Sequence, residues 1–193
     1  MKWLEELSLE VEQIYERSNE TFSTYQKEQG LHCPSDCGKC CLSKEISATV
    51  LEMLPTAIRL YKEGIHEQIY ETLVQVNTPQ CIFYAPTSAD GTKGRCLNYH
   101  TRPSVCRSFG AAAVRGKLGD KKLSICRVLK DTYPELLPGL KVEEAPVVGE
   151  YARQIAGINI NLGTQILPIN EALKLALDKV IFYSQFKDHS NSI

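Results

Sequence analysis

Apolar side chains recur at spacings of three and four from the start of the chain: Leu4, Leu7, Val11, Ile14, Phe22 and Tyr25, with Ser18 in the same register. A helix turns every 3.6 residues, so these positions share one face. The pattern predicts a helix over 2–28, stopped by Gly30. Val50, Leu51, Leu54, Ile58 and Tyr61 predict a second helix, with Ser47 as its N-cap and Gly64 as its end. Pro55 lies inside it and predicts a kink or a split, because proline lacks the N–H and crowds the preceding turn. A third helix is predicted from about His66 to Asn77, where Ile69, Leu73 and Val76 share a side. Ile169, Leu173, Leu177 and Val180 mark a last one after Pro168. Ala111–Arg115 and Lys121–Cys126, flanking Gly116 and Gly119, predict a small hairpin, the one strand signal of note. The stretch from Pro86 to Gly94 is polar and turn-rich. The expected fold is mainly α: an irregular cysteine-rich middle with a small β-hairpin, flanked by N- and C-terminal helices.

Length and composition narrow the class. At about 100–200 residues per domain, 193 residues predict a single domain over 1–193. The cysteine region spans 33–126, with helical extensions over 1–30 and 146–193. Hydrophobic residues are 43% and charged residues 23%, which excludes a disordered chain. Lys and Arg number 22 against 23 Asp and Glu, so no basic footprint points to nucleic acid or an anionic membrane. No run approaches the ~18 apolar residues of a membrane span. Glu5, Glu6, Glu10 and Glu12 interrupt the opening segment, which therefore lacks the apolar stretch of a secretory leader. A cytoplasmic location is expected, where thiols stay reduced and cysteines point to metal or redox chemistry.

The chain has 8 cysteines, and their placement carries the chemistry. Cys33, Cys37, Cys40 and Cys41 form the string CPSDCGKCC. The C-x-x-C turn of Cys37 and Cys40 lets two sulfurs converge on one ion, and Gly38 can adopt the left-handed conformation that turns backbone N–H groups toward them. Adjacent Cys40 and Cys41 resist a strained vicinal disulfide and are expected to point apart. Cys81, Cys96, Cys106 and Cys126 form a second block. A four-thiolate site around zinc or an iron cluster is anionic and calls for nearby cations and N–H donors. Lys39, Arg95, Arg102 and Arg107 are available, and arginine suits burial better than lysine. His32 and His100 lie near cysteines and are weaker ligand candidates. His66 and His189 are expected at the surface.

The string resembles the YkgJ-like cysteine-cluster family, a zinc- or iron-chelating domain. The resemblance rests on Cys33, Cys37, Cys40 and Cys41, then Cys81-Ile82-Phe83 and Gly94-Arg95-Cys96. It continues with Tyr99, Arg102-Pro103, Cys106-Arg107, Phe109 and Cys126. Asn98 departs from it, since an apolar residue usually stands there. The resemblance covers roughly Cys33 to Cys126. It implies that all eight cysteines are metal ligands, with Arg102 and Arg107 around them. Zinc is the expected cofactor; iron or an iron–sulfur cluster is the alternative.

Three function classes follow. The first is a metal-binding module acting by chelation or through a protein partner. The second is an iron–sulfur protein in electron transfer or as an accessory to protein methylation, because flagellin lysine methylases are similar in their cysteine region. The third is a thiol redox protein using Cys37 and Cys40, which lacks the βαβ setting such thiols need. No Ser/His/Asp arrangement, phosphate loop or H-E-x-x-H motif names a reaction. The bare C-x(3)-C-x-x-C spacing of radical SAM enzymes is present without a βα barrel pattern around it.

Overall fold

In a computed structural model of the chain, which describes residues 1–76 and 78–186, the first helix α1 (Lys2–Glu28) has the predicted bounds. Its buried face is Leu4, Ser8, Val11, Ile14, Tyr15, Ser18, Phe22 and Tyr25. One helical turn, α2 (Lys39–Leu42), and a two-residue strand, β1 (Ser47–Ala48), precede α3 (Val50–Lys62). The N-cap of α3 is Thr49 rather than Ser47. Thr49 Oγ1 accepts from the Glu52 N–H at 3.2 Å, and the Glu52 carboxylate accepts from the Thr49 N–H at 2.9 Å. This capping box satisfies two of the donors that a helix start leaves unpaired. Ser47 instead pairs with Pro168 in a sheet. The helix continues through Pro55 without splitting. Ten of its residues, Pro55 among them, are buried, so packing on its flanks offsets the ~3 kcal/mol that proline costs a helix interior.

Helix α4 (His66–Gln75) stops short of Asn77, which lies outside the described residues, as do 187–193 with His189. Strands β2 (Tyr84–Pro86) and β3 (Gly94–Cys96) form a hairpin whose loop is the turn-rich stretch. Three-residue strands are too short to show an alternating pattern, so this hairpin left no strand signal in the sequence. Next come α5 (Ser104–Arg107) and the anticipated hairpin, β4 (Ala111–Arg115) and β5 (Lys121–Ile125). After them follow α6 (Arg127–Thr132), α7 (Glu150–Ile158) and α8 (Ile160–Gly163). Strand β6 (Leu167–Pro168) pairs with β1 and leads into α9 (Ile169–Gln185). The fold is mainly α, with flanking terminal helices and small antiparallel strand pairs around the cysteines.

Helix α3 packs between α1 and α9. The larger core includes Leu4, Val11, Leu51, Leu54, Leu173 and Leu177. A smaller one joins Tyr25 and Leu31 to Ala111, Ala113, Leu129 and Val147. Helix α1 contributes to both, its first half to the larger core and Tyr25 to the smaller. Cys41, Cys81 and Cys106 are buried at the edge of the larger core, which puts the thiol-bearing segments beside its apolar wall. Among the described residues no helix is long and apolar enough to cross a membrane.

Candidate metal centre

The cysteines reach one region from six segments: the α1–α2 loop, α2, the segment before β2, β3, α5 and the start of α6. All eight are free thiols. Gly38 has φ +56°, and a Cβ there would sit 2.6 Å from the Tyr84 ring and 2.7 Å from the Gly94 carbonyl oxygen. Only glycine lets the Cys37–Cys40 turn lie this close to the β2–β3 hairpin. Asp36 also has positive φ, at 54°, and its carbonyl accepts from the Gly94 N–H at 2.9 Å. Cys81 is fixed from two sides. Its N–H donates to the Cys41 carbonyl at 3.1 Å. Asn170, in the first turn of α9, accepts from the Ile82 N–H at 3.1 Å and donates to the carbonyls of Thr78 and Gln80 at 3.1 and 2.7 Å.

The segment from Cys96 to Cys106 is fastened to α3 by polar side chains. Asn98, 4% exposed, donates to Thr56 Oγ1 at 2.9 Å. Its Oδ1 accepts from Thr101 Oγ1 at 2.6 Å and from Arg59 Nη2 at 3.1 Å. Thr56 Oγ1 in turn donates to the Thr101 carbonyl at 2.9 Å. The buried Glu52 carboxylate accepts from the Ser104 N–H at 3.2 Å and from the Ser104 hydroxyl. One carboxylate therefore caps α3 and holds the start of α5, which carries Cys106. Arg107 is 3% exposed; its Nε and Nη2 donate to the carbonyls of Arg102 and His100 at 2.8 and 2.6 Å. Its guanidinium stacks on Tyr15 of α1 at 4.0 Å, and burial pulls its pKa down to about 10. Tyr15 completes the tie by donating to the Glu52 carbonyl at 2.6 Å.

The spatial grouping of the thiols cuts across the sequence grouping. Cys41 contacts Cys40, Cys81 and Cys96, and Cys106 lies beside Cys40, Cys81 and Cys96. These five border a tight internal cavity of about 20 Å³. Cys33 contacts Cys37 and lies near Cys40 and Cys126. Cys33, Cys37 and Cys126 border only a second, wider cavity of about 570 Å³, which the inner thiols other than Cys81 also reach. The side chains of Cys40 and Cys41 meet instead of pointing apart. They stand on a turn of helix, where consecutive side chains diverge by about 100° rather than facing opposite ways as on a strand. Among the described residues no three His, Cys, Asp or Glu side chains already form a closed metal-holding group; the contacts radiate from Cys41.

Those contacts set the thiol electrostatics. The Cys41 thiol, shared with three sulfurs, lowers the pKa of Cys40 to about 6 and of Cys96 to about 7, against burial. Cys81 is lowered for the same reason, and Cys41 itself is pushed far up. Arg102 adds to the lowering at Cys40 and Cys96. Burial raises Cys106, and burial with neighbouring Cys37 raises Cys33 to about 11.

Arg102 borders both cavities and stacks on Tyr99 at 4.0 Å. Its Nε is buried and has no hydrogen-bond acceptor among the described residues. An unpaired buried donor costs about 1–3 kcal/mol, and an anionic sulfur centre beside it would supply the acceptor. Soft donors gathered around a cation with a spare N–H fit a metal–thiolate centre. Lys39, Arg95, Arg102 and Arg107 all border the wide cavity, with Asp36 as its one carboxylate among the described residues. His32 and His100 are exposed and border neither cavity; their carbonyls serve as acceptors for Tyr133 and Arg107. Sequence reasoning missed Glu52, Asn98, Asn170 and Tyr15 as supports. Only Glu52 carried a local signal, the T-x-x-E spacing with Thr49.

No curated protein and no solved structure matches the chain. The family model CxxCxxCC, described as "Putative zinc- or iron-chelating domain", matches residues 32–129, about half of the chain. That span contains every cysteine and excludes α1 and α7–α9. With its eight thiols inside the match and brought together in space, the chain belongs to the CxxCxxCC family of zinc- or iron-chelating domains.

Proposed function

We propose that this protein binds zinc through a thiolate site centred on Cys41, with Cys40, Cys81 and Cys96 as the other ligands. The carrying observation is that the Cys41 thiol touches the other three. In a tetrahedral site with Zn–S near 2.3 Å, ligand sulfurs stand about 3.8 Å apart, which is contact distance. A four-iron cluster interposes its own atoms and spreads its thiolates well beyond contact. One thiol in contact with three others therefore favours a single ion over a cluster. Cys106 stands beside this set, and Arg102, whose buried Nε lacks an acceptor among the described residues, borders the same tight cavity. Arg107 acts one step away, by holding the loop that carries Arg102. Among the described residues no carboxylate or imidazole borders the inner cavity, and the reading is chelation.

The test is elemental analysis of protein purified anaerobically without chelator. The expected result is a colourless sample with one or two zinc ions per chain, and loss of at least one in Cys41→Ser. A brown sample with labile sulfide would overturn zinc in favour of an iron–sulfur centre. Absence of both metals would overturn metal binding.

A further inference from the structure

We propose that strand β5 is a docking edge for a protein partner, which adds an extended acidic segment to the β4–β5 hairpin as a further strand. The Gly116 N–H donates to the Asp120 carbonyl at 2.8 Å, and the Cys126 N–H to the Gly110 carbonyl at 2.7 Å. Hydrogen-bonded pairs alternate along an antiparallel ladder. Lys122 and Ser124 therefore turn their backbone groups toward β4, and Lys121, Leu123 and Ile125 turn theirs outward. On β4 the outward residue Ala113 is taken. Its N–H donates to the Pro146 carbonyl at 2.8 Å, and its carbonyl accepts from the Val148 N–H at 2.7 Å. On β5 the equivalent groups are free: among the described residues, the N–H and C=O of Lys121, Leu123 and Ile125 have no backbone partner. Such an edge is a template for another strand.

Charge decides which strand fits. From Arg115 to Lys130 the chain has six lysines and arginines and one carboxylate, Asp120, although its total charge is -1. Lys122 pairs with Asp120 at 3.6 Å and Arg127 with Asp131 at 3.7 Å, both in exposed pairs that an incoming carboxylate can replace. A second copy of this edge would set lysine against lysine, and like charges across a ladder are destabilising. An acidic strand meets the opposite sign. The two faces of the hairpin add a pattern. Leu123 and Ile125 lie on the face that packs against the smaller core, whereas the Lys122 side chain, on the other face, is 70% exposed. The segment that fits therefore alternates apolar and acidic residues. Leu118, 97% exposed at the hairpin tip, offers an apolar contact at one end. Cys126 follows β5 at the other end and borders the wide cavity, so a docked strand would end beside the thiols.

The experiment is fluorescence anisotropy of the full chain with a fluorescein-labelled seven-residue peptide of alternating valine and glutamate. The expected result is saturable binding below about 1 mM peptide, with no binding when lysine replaces glutamate. Methylating the peptide amides that face β5 should weaken binding at least tenfold, because the ladder loses its donors while the charge stays. Lys122→Glu, at an exposed position, should do the same without moving the melting temperature. In the complex, amide hydrogen exchange at Lys121, Leu123 and Ile125 should slow at least tenfold. No binding, or equal binding of the methylated peptide, would overturn the proposal. So would tighter binding of single-stranded oligothymidylate or phosphatidylserine vesicles, which would make the hairpin a general polyanion surface. A dimer that protects the same three amides would overturn it in favour of a second copy.

Discussion

Asn98→Leu restores the apolar residue usual at this point of the motif, and it should destabilise this chain. Leucine removes three hydrogen bonds: Asn98 Nδ2 to Thr56, Thr101 to Asn98 Oδ1, and Arg59 to Asn98 Oδ1. The two neutral bonds contribute about 1 kcal/mol each. The Arg59 bond adds about 1 kcal/mol more, kept at the low end because Arg59 is partly exposed and also pairs with Glu63 at 2.7 Å. Burying the leucine side chain returns part of this, on the order of 1 kcal/mol. The net loss is about 2 kcal/mol, or roughly 4–8 °C in melting temperature for a chain of this size. The assay is thermal unfolding followed by circular dichroism, run on Asn98→Leu, Thr56→Val and the double variant. Because the two side chains share one network, the double variant should lose less than the sum of the singles, by about 0.5–1 kcal/mol. An Asn98→Leu melt within about 1 °C of wild type would refute the reasoning, as would strict additivity.

Gly38→Ala should cost more than about 3 kcal/mol and lower metal content, because positive φ combines with a backbone carbonyl 2.7 Å from the new Cβ; zinc analysis of the soluble fraction checks it. Asn170→Leu should loosen the Cys81 segment by about 2 kcal/mol, since one N–H and two carbonyls lose their partner. Amide hydrogen exchange at Ile82 should then speed up at least tenfold, while α1 amides stay unchanged. Glu52→Ala breaks the α3 cap and the anchor of α5 together and should lower the urea midpoint by the equivalent of about 2–4 kcal/mol. Tyr15→Phe, which removes one buried hydroxyl donor, should cost only about 1 kcal/mol in the same titration.

The long elements were legible because their burial is periodic. Helices α1 and α9 lie on one wall each, so Leu4 to Tyr25 and Ile169 to Val180 repeat at helical spacing. The thiols were equally visible as a string, since cysteine spacing is local. Their partition was not. Cys41 meets Cys81 and Cys96 through long-range packing that no local pattern encodes, and Cys126 joins Cys33 because the β4–β5 hairpin and α6 bring it back. Ser47 illustrates the opposite error. Both Ser47 and Thr49 are acceptable caps by residue type, and only the reciprocal Glu52 pair and the β1–β6 pairing decide between them. Asn98 was noticed as a departure from the motif. Its role depends on Thr56 and Arg59, which lie about forty residues earlier and on the facing helix.

Asn170 and Ile169 also set an order of events in synthesis. The segment bearing Cys81 is pinned by Asn170, and the tight cavity is closed on one side by Ile169. Translation proceeds at about 5–20 residues per second, so the first cysteine string leaves the ribosome on the order of ten seconds before α9 does. Throughout that interval the thiols exist without the wall that surrounds them in the finished protein. Ions loaded then would be chosen by sulfur affinity alone, with no cavity to discriminate among them. Formation of α9 therefore decides when selection by shape can begin, and a nascent chain stalled before Ile169 would bind ions without it.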